Sequence, residues 1–257
     1  MSQLYCESQG AGPALVLLHG WGLNSAVWQP LSELLSPHFC LYMVDLPGFG
    51  YSTALPQLSL QNIAEAIAEQ VPEQSIWLGW SLGGLVAMQA ALSFPERLSS
   101  LVSVASSAHF VAQDDWPGIP SKVLQGFAQG LELDFVKTLQ QFLAIQAMGS
   151  PHAKQDIKQL RHLLAERPLP CLDALRQGLS LLQSEDLRPQ VGQIDLPWLQ
   201  LYGRNDSLVP RAAIAEHAQL NLDAQQYCFA SSSHAPFISE KQLFAERLID
   251  FSRSLVV

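Results

Sequence analysis

No run of apolar residues in this sequence approaches the roughly 18 that a membrane-spanning helix needs, and its longest clean stretches are strand-sized. Basic residues are few. Fourteen Lys and Arg stand against 23 Asp and Glu, a formal net charge of −9, which opposes general nucleic-acid binding. The four cysteines, Cys6, Cys40, Cys171 and Cys228, form no C-x-x-C pair, so the usual zinc and redox spacings are absent. They are expected to be reduced packing residues. The opening residues carry neither a basic region nor the apolar stretch of a secretory signal, so a cytoplasmic location is expected. No repeat or low-complexity segment is visible. What is abundant is apolar: 48% of the 257 residues are hydrophobic and 14% are charged. Such a composition excludes intrinsic disorder, and a chain this long needs neither disulfide nor metal to be stable.

The first half alternates strand-like and helix-like segments. Residues 15–18 form a continuous apolar run ended by His19-Gly20, as in a strand covered on both faces. A helix is expected from Asn24 or Ser25 to about Leu35, a strand over 39–44, and a loop at Asp45-Leu46-Pro47-Gly48-Phe49-Gly50. Ser59 can cap a helix through Val71. A strand over 75–79, a helix over 82–94 and a strand over 98–105 follow. From about 106 to 190 no strand is evident. Leu133, Val136, Leu139, Gln140 and Leu143 recur at helical spacing, as do Ile157, Leu160, His162 and Leu164. Strands over 198–202 and 225–230 then return, with helices over 210–220 and from about 240. This pattern predicts an α/β fold with a mostly parallel, doubly wound sheet and an inserted helical cap. The expected division is a core of residues 1–110 and 187–257 and a cap of 111–186. The cap would lie over the C-terminal edge of the sheet, where such sheets bind ligands.

Gly79-Trp80-Ser81-Leu82-Gly83 matches G-x-S-x-G between a predicted strand and a predicted helix. In that setting the serine sits on a sharp turn with its hydroxyl presented, and the glycines let backbones approach closely. A serine needs a base. Of seven histidines, His234 in Ser233-His234-Ala235-Pro236-Phe237 follows a strand at the edge that presents Ser81. The base needs an orienting carboxylate, and Asp206 follows the strand over 198–202; Asp114 and Asp115 are the reserve acids. The order Ser81, Asp206, His234 is one of the known serine-triad orders. Oxyanion donors are expected from the backbone N–H groups of Leu82 and of Trp21, in His19-Gly20-Trp21-Gly22. The His19 side chain is expected to brace this loop.

Along nearly its whole length the chain resembles the α/β-hydrolase superfamily, through LHGWG at 18–22, DLPGFG at 45–50, GWSLGG at 79–84 and SHAPF at 233–237. Within it, HGWGLN at 19–24, DWPGI at 115–119, FLAIQ at 142–146 and HAPFIS at 234–239 are similar to the serine carboxylesterases that hydrolyse the methyl ester of a pimeloyl chain on acyl carrier protein, in biotin biosynthesis. The resemblance implies the triad Ser81, Asp206 and His234. It also implies substrate contacts at Trp21, Ser81, Leu82, Phe142, Leu143, Ala144, Ile145, Gln146 and His234, a monomer, no cofactor and no metal. Other members of the superfamily with the same triad are short-chain carboxylesterases and carbon–carbon bond hydrolases. A non-catalytic binding scaffold is disfavoured by the intact triad.

Charge is unevenly spread. Residues 137–176 hold six basic and three acidic side chains, against eight and 20 in the rest of the chain. A basic cap on an acidic protein suits an acidic carrier. Lys154, Lys158 and Arg161 fall on one helix face. The carrier-facing positions implied by the resemblance are mostly arginine; Lys137, Lys154 and Lys158 stand there, and Gln141 carries no charge. Phe142, Leu143, Ile145 and Met148 are at helical spacing, suited either to an acyl tunnel or to cap packing.

Overall fold

The computed structural model describes residues 4–255. Seven strands form one sheet: β1 (Cys6–Gly10), β2 (Ala14–Leu18), β3 (Cys40–Val44), β4 (Ser75–Trp80), β5 (Leu98–Val104), β6 (Trp198–Gly203) and β7 (Gln225–Phe229). Their spatial order is β1-β3-β2-β4-β5-β6-β7; β1 pairs antiparallel with β3 and every other pairing is parallel. β1 had no apolar signature, because Cys-Glu-Ser-Gln-Gly is a half-solvated edge strand held by its ladder to β3. The inner strands are apolar on both faces because both faces are covered. Val16, Leu18, Trp77 and Leu101 pack under α2 (Leu60–Ala68) and α3 (Leu82–Ser93). Leu15, Leu17, Leu78, Val102 and Leu201 pack under α1 (Gln29–Leu35) and α9 (Lys241–Ser254). Each such fully buried side chain stabilises the fold by about 1.5–3 kcal/mol relative to exposure.

Local chemistry sets the element ends. The helix expected from Ser25 is split: a 3-10 turn, Ser25–Trp28, precedes α1. Pro30, with no N–H to give, sits in the first turn of α1, where none is needed. Ser59 caps α2 with a reciprocal box to Asn62, as its position predicted, although α2 ends at Ala68. All four cysteines are free. The packing expectation fails for Cys171 and Cys228, which are exposed.

Between β5 and β6 lie α4 (Ser121–Gln146), α5 (Ala153–Ala165) and α6 (Leu172–Ser184), called the cap below. α4 is kinked at Asp134, whose backbone is non-helical and whose Oδ1 accepts the Lys137 N–H at 3.0 Å, restarting the helix as a cap would. The kink breaks the apolar stripe read from sequence: Leu133 is 88% and Val136 40% exposed, whereas Leu139 and Phe142 are buried. α7 (Arg211–Leu220), the short α8 (Pro236–Ser239) and 3-10 turns at Pro95–Arg97 and Val191–Gln193 complete the described helices. No described helix is long and apolar enough to cross a membrane.

Candidate active site

The strand order reverses direction between β2 and β4, so the chain leaves these neighbours toward opposite edges of the sheet and a crevice opens at their C-terminal ends. Ser81 stands in that crevice, on the turn from β4 to α3, with φ 55° and ψ −115°. A non-glycine residue held there stores about 1–3 kcal/mol. Neighbours enforce it. Ser81 N–H donates to Val104 O at 2.9 Å, and Ser81 O accepts from Ser106 Oγ at 2.8 Å. A side chain on Gly79 would meet Gly83 O at 2.1 Å, and one on Gly83 would meet Leu18 O at 2.5 Å. Both glycines of the motif are therefore demanded by close backbone approach.

His234 follows β7 and is fully buried. Its Nδ1 lies 2.8 Å from Asp206 Oδ2. Asp206, just past β6, is pinned by its other oxygen, which accepts the N–H groups of Leu208 at 2.8 Å and Val209 at 3.0 Å. A carboxylate so fixed makes Nδ1 the protonated nitrogen and leaves Nε2 the acceptor. Nε2 has no hydrogen-bond partner among the described residues. Trp80 ties this loop to the serine turn: its Nε1 donates to His234 O at 2.7 Å, one residue from Ser81. Gly203 makes room for the loop, since a Cβ there would come within 1.8 Å of Ser233 O. Asp114 and Asp115, the reserve acids, are exposed.

The loop after β2 comes alongside Ser81: a Cβ on Gly20 would lie 3.2 Å from Ser81 Cβ. No backbone carbonyl of the described residues pairs with the N–H of Trp21 or of Leu82. The Leu82 N–H also opens the 12-residue α3, whose dipole favours negative charge at that end. His19 spans two loops, with Nδ1 on Gly20 O at 2.8 Å and Nε2 accepting the Leu46 N–H at 2.9 Å. Burial pushes its pKa down, so the ring is neutral with both nitrogens occupied.

The cap covers the crevice, and Ser81 is 3% exposed. Phe142 meets the Trp21 ring edge-on at a centroid distance of 4.7 Å. Leu143 turns the other way, into the core cluster with Leu160, Leu163 and Leu164. Ala144 and Ile145 are half-buried, and the buried Gln146 accepts the His234 N–H on its backbone oxygen at 3.0 Å. Met148 is 54% exposed and forms no part of an inner wall, because α4 has already ended. Lys137, Lys154, Lys158 and Arg161 are exposed and make no ion pair with a described residue. Ser106 and Ser233 were not singled out from sequence; Ser106 carried one signal, its place just after the apolar β5, and Ser233 only its place beside His234. Among the described residues, no three His, Cys, Asp or Glu side chains gather as a metal ion would require.

A family model described as alpha/beta hydrolase fold matches residues 13–241. The pimeloyl-[acyl-carrier protein] methyl ester esterase of Aeromonas salmonicida is 54% identical over 242 residues, covering 93% of this chain and 95% of that protein. The protein of the same name from Aeromonas hydrophila is 53% identical over 247 residues, covering 95% of this chain and 97% of its own. Among solved structures, an esterase from Exiguobacterium antarcticum superposes with a TM-score of 0.88 at 22% identity, covering 98% of this chain and 96% of that one, which speaks to fold alone.

Proposed function

This chain belongs to the alpha/beta hydrolase fold family, and from that premise we propose that it is a serine carboxylesterase that hydrolyses the methyl ester of a pimeloyl chain carried on acyl carrier protein. The observation that carries the chemistry is the buried pair of His234 and the pinned Asp206, with Nε2 unpartnered, beside a serine held in a strained turn. The substrate comes from the relatives at about half identity over nearly the full chain.

In this reading Ser81 Oγ attacks the ester carbonyl and passes its proton to His234 Nε2. Asp206 holds the ring in the tautomer that can accept it and stabilises the imidazolium that results. The tetrahedral oxyanion lies between the free N–H groups of Trp21 and Leu82. Removing one such donor typically costs about 10²–10³ in kcat. His234 then returns the proton to the departing methanol. Water, activated by the same nitrogen, hydrolyses the acyl-enzyme and releases the carboxylate.

The carrier docks on the cap face of Lys154, Lys158 and Arg161 on α5, with Lys137 on the neighbouring α4. Between these helices is a cleft of about 200 Å³ lined by Val136, Leu139, Leu143 and Leu164, with Arg161 at its rim. Its apolar walls suit an alkyl chain, and its basic rim suits an acidic carrier. Docking there holds the carrier's thioester at the cap surface, away from the buried Ser81, while the distal methyl ester enters the crevice once the cap shifts. The enzyme acts as a monomer in the cytoplasm, in keeping with its four free cysteines.

The test is hydrolysis of pimeloyl-carrier methyl ester beside p-nitrophenyl esters of increasing chain length, with Ser81→Ala as control. A kcat/KM for the carrier-bound ester far above that for the small esters is the expected result. Cleavage of short free esters alone would leave a general carboxylesterase.

A further inference from the structure

The groups gathered around Ser81 have two different anchorages. Ser81 itself is set by the sheet, through Val104 O and Ser106 Oγ. The segments that serve it are fastened to the cap as well as to the sheet, which holds the His234 loop through Trp80 Nε1 on His234 O. His234 N–H donates to Gln146 O at 3.0 Å, and Gln146 is the last residue of α4, where carbonyls have no partner inside the helix. Ser233 Oγ donates to Met148 O at 2.6 Å, the shorter of its two contacts, the other being Asn205 O at 3.3 Å in the loop of Asp206. Gly149 lies against the loop of Asp206, so closely that a Cβ there would come within 2.8 Å of Asn205 O. From the other side, Trp21 Nε1 donates to Leu175 O of α6 at 2.8 Å. The same ring rests on Phe142, and a side chain on Gly178 would meet its Cδ1 at 2.9 Å.

We propose that the cap positions the base and one oxyanion donor, acting through the side chains of Ser233 and Trp21. The inference rests on the catalytic reading of Ser81, Asp206 and His234 given above. Ser81 is 3% exposed and His234 fully buried, so an ester carbonyl reaches the hydroxyl only after the cap shifts. That shift stretches the bonds to Gln146, Met148 and Leu175 together. Return of the cap over a bound acyl chain restores them, and with them the place of Nε2 and of the Trp21 N–H. Binding energy gained along the acyl chain is thus converted into alignment at the carbonyl, the logic of induced fit. Ser233 and Trp21 act through other groups and are positioning residues. Deletion of either bond lowers kcat while leaving KM in place, because alignment and not binding is lost.

The test uses the full-length enzyme with p-nitrophenyl butyrate and a fluorophosphonate probe for Ser81. Trp21→Phe deletes the indole donor and keeps an aromatic ring; Ser233→Ala deletes the hydroxyl; Ser233→Thr keeps it. Each deletion is expected to lower kcat about fivefold or more with KM within about twofold, the scale of one hydrogen bond. The threonine variant is expected to recover the loss. A kcat within about twofold of the parent in Ser233→Ala overturns the proposal, and so does a loss that Ser233→Thr does not recover. Should Trp21→Phe fail to fold, the Ser233 pair decides alone. Labelling that persists in Ser81→Ala is a separate result: it refutes the catalytic reading itself.

Discussion

Asp206→Asn exchanges one oxygen for an NH₂ group and leaves the shape of the side chain unchanged, so its effect follows from hydrogen bonding alone. One carboxylate oxygen accepts the N–H groups of Leu208 and Val209, and the other faces His234 Nδ1 at 2.8 Å. Asparagine has two orientations. Turning its NH₂ toward Leu208 and Val209 leaves two buried donors unpaired, at about 1–3 kcal/mol each. Turning its oxygen there keeps both bonds and points the NH₂ at His234. The second orientation is favoured by about 2–6 kcal/mol. It forces Nδ1 to accept, which moves the ring proton to Nε2, the nitrogen that receives the serine's proton in the proposed mechanism. The fold is retained, and kcat falls by about 10⁴, the scale known for a wrong-tautomer substitution. Steady-state hydrolysis of a p-nitrophenyl ester alongside thermal melting checks this, with Asp114→Asn as a control at an exposed carboxylate. A variant within tenfold of the parent kcat would show that Asp206 does not set the tautomer.

Gly79→Ala places a methyl 2.1 Å from Gly83 O, with backbone on both sides of the contact. Denaturant melts should show a loss of about 3 kcal/mol or more, as for strain that the turn cannot relieve; a loss below 1 kcal/mol would mean that β4 and α3 can separate. His217 is buried with Nδ1 on Ala213 O at 2.6 Å, and burial pushes its pKa down to about 4. The unfolded chain binds its proton more readily, so this histidine's share of stability is complete above about pH 6.5. It is lost as pH falls toward 4, by roughly 3 kcal/mol. Melting temperature measured across that range should drop, and His217→Gln should flatten the curve; an equally steep curve in the variant would assign the loss elsewhere. Exchanging Lys154 and Lys158 for Glu should raise KM for the carrier-bound ester about tenfold or more, with p-nitrophenyl acetate unaffected and the difference shrinking as salt is added. Equal KM values for the carrier-bound ester would remove the α5 face as the docking surface.

Local chemistry makes much of this molecule legible in its sequence. The continuous apolar run before His19 and the largely apolar segments at β4, β5 and β6 read as strands covered on both faces, and GWSLGG between a predicted strand and a predicted helix reads as a tight turn. Asp206 is placed by the apolar strand β6 that precedes it, and His234 by its position between a predicted strand and the last helix, although that strand, β7, proves to be a partly exposed edge. Other features had no local mark. β1 is polar because it is an edge, and its pairing with β3 identifies it. The helical stripe through Leu133 and Val136 was misleading, since Asp134 interrupts the helix with a side-chain cap that competes with helical hydrogen bonding. Met148 kept the helical phase in sequence but lies past the end of α4. The anchoring of Trp21 to Leu175 and of Ser233 to Met148 joins residues 154 and 85 positions apart. Periodicity and capping act over a few residues, and so the sequence alone determined the inner strands, the turn and the order of Ser81, Asp206 and His234 along the chain. Which carbonyl meets which donor across such distances is decided by how the cap packs on the sheet, and only the tertiary structure brought the serine of one and the supports of the other together.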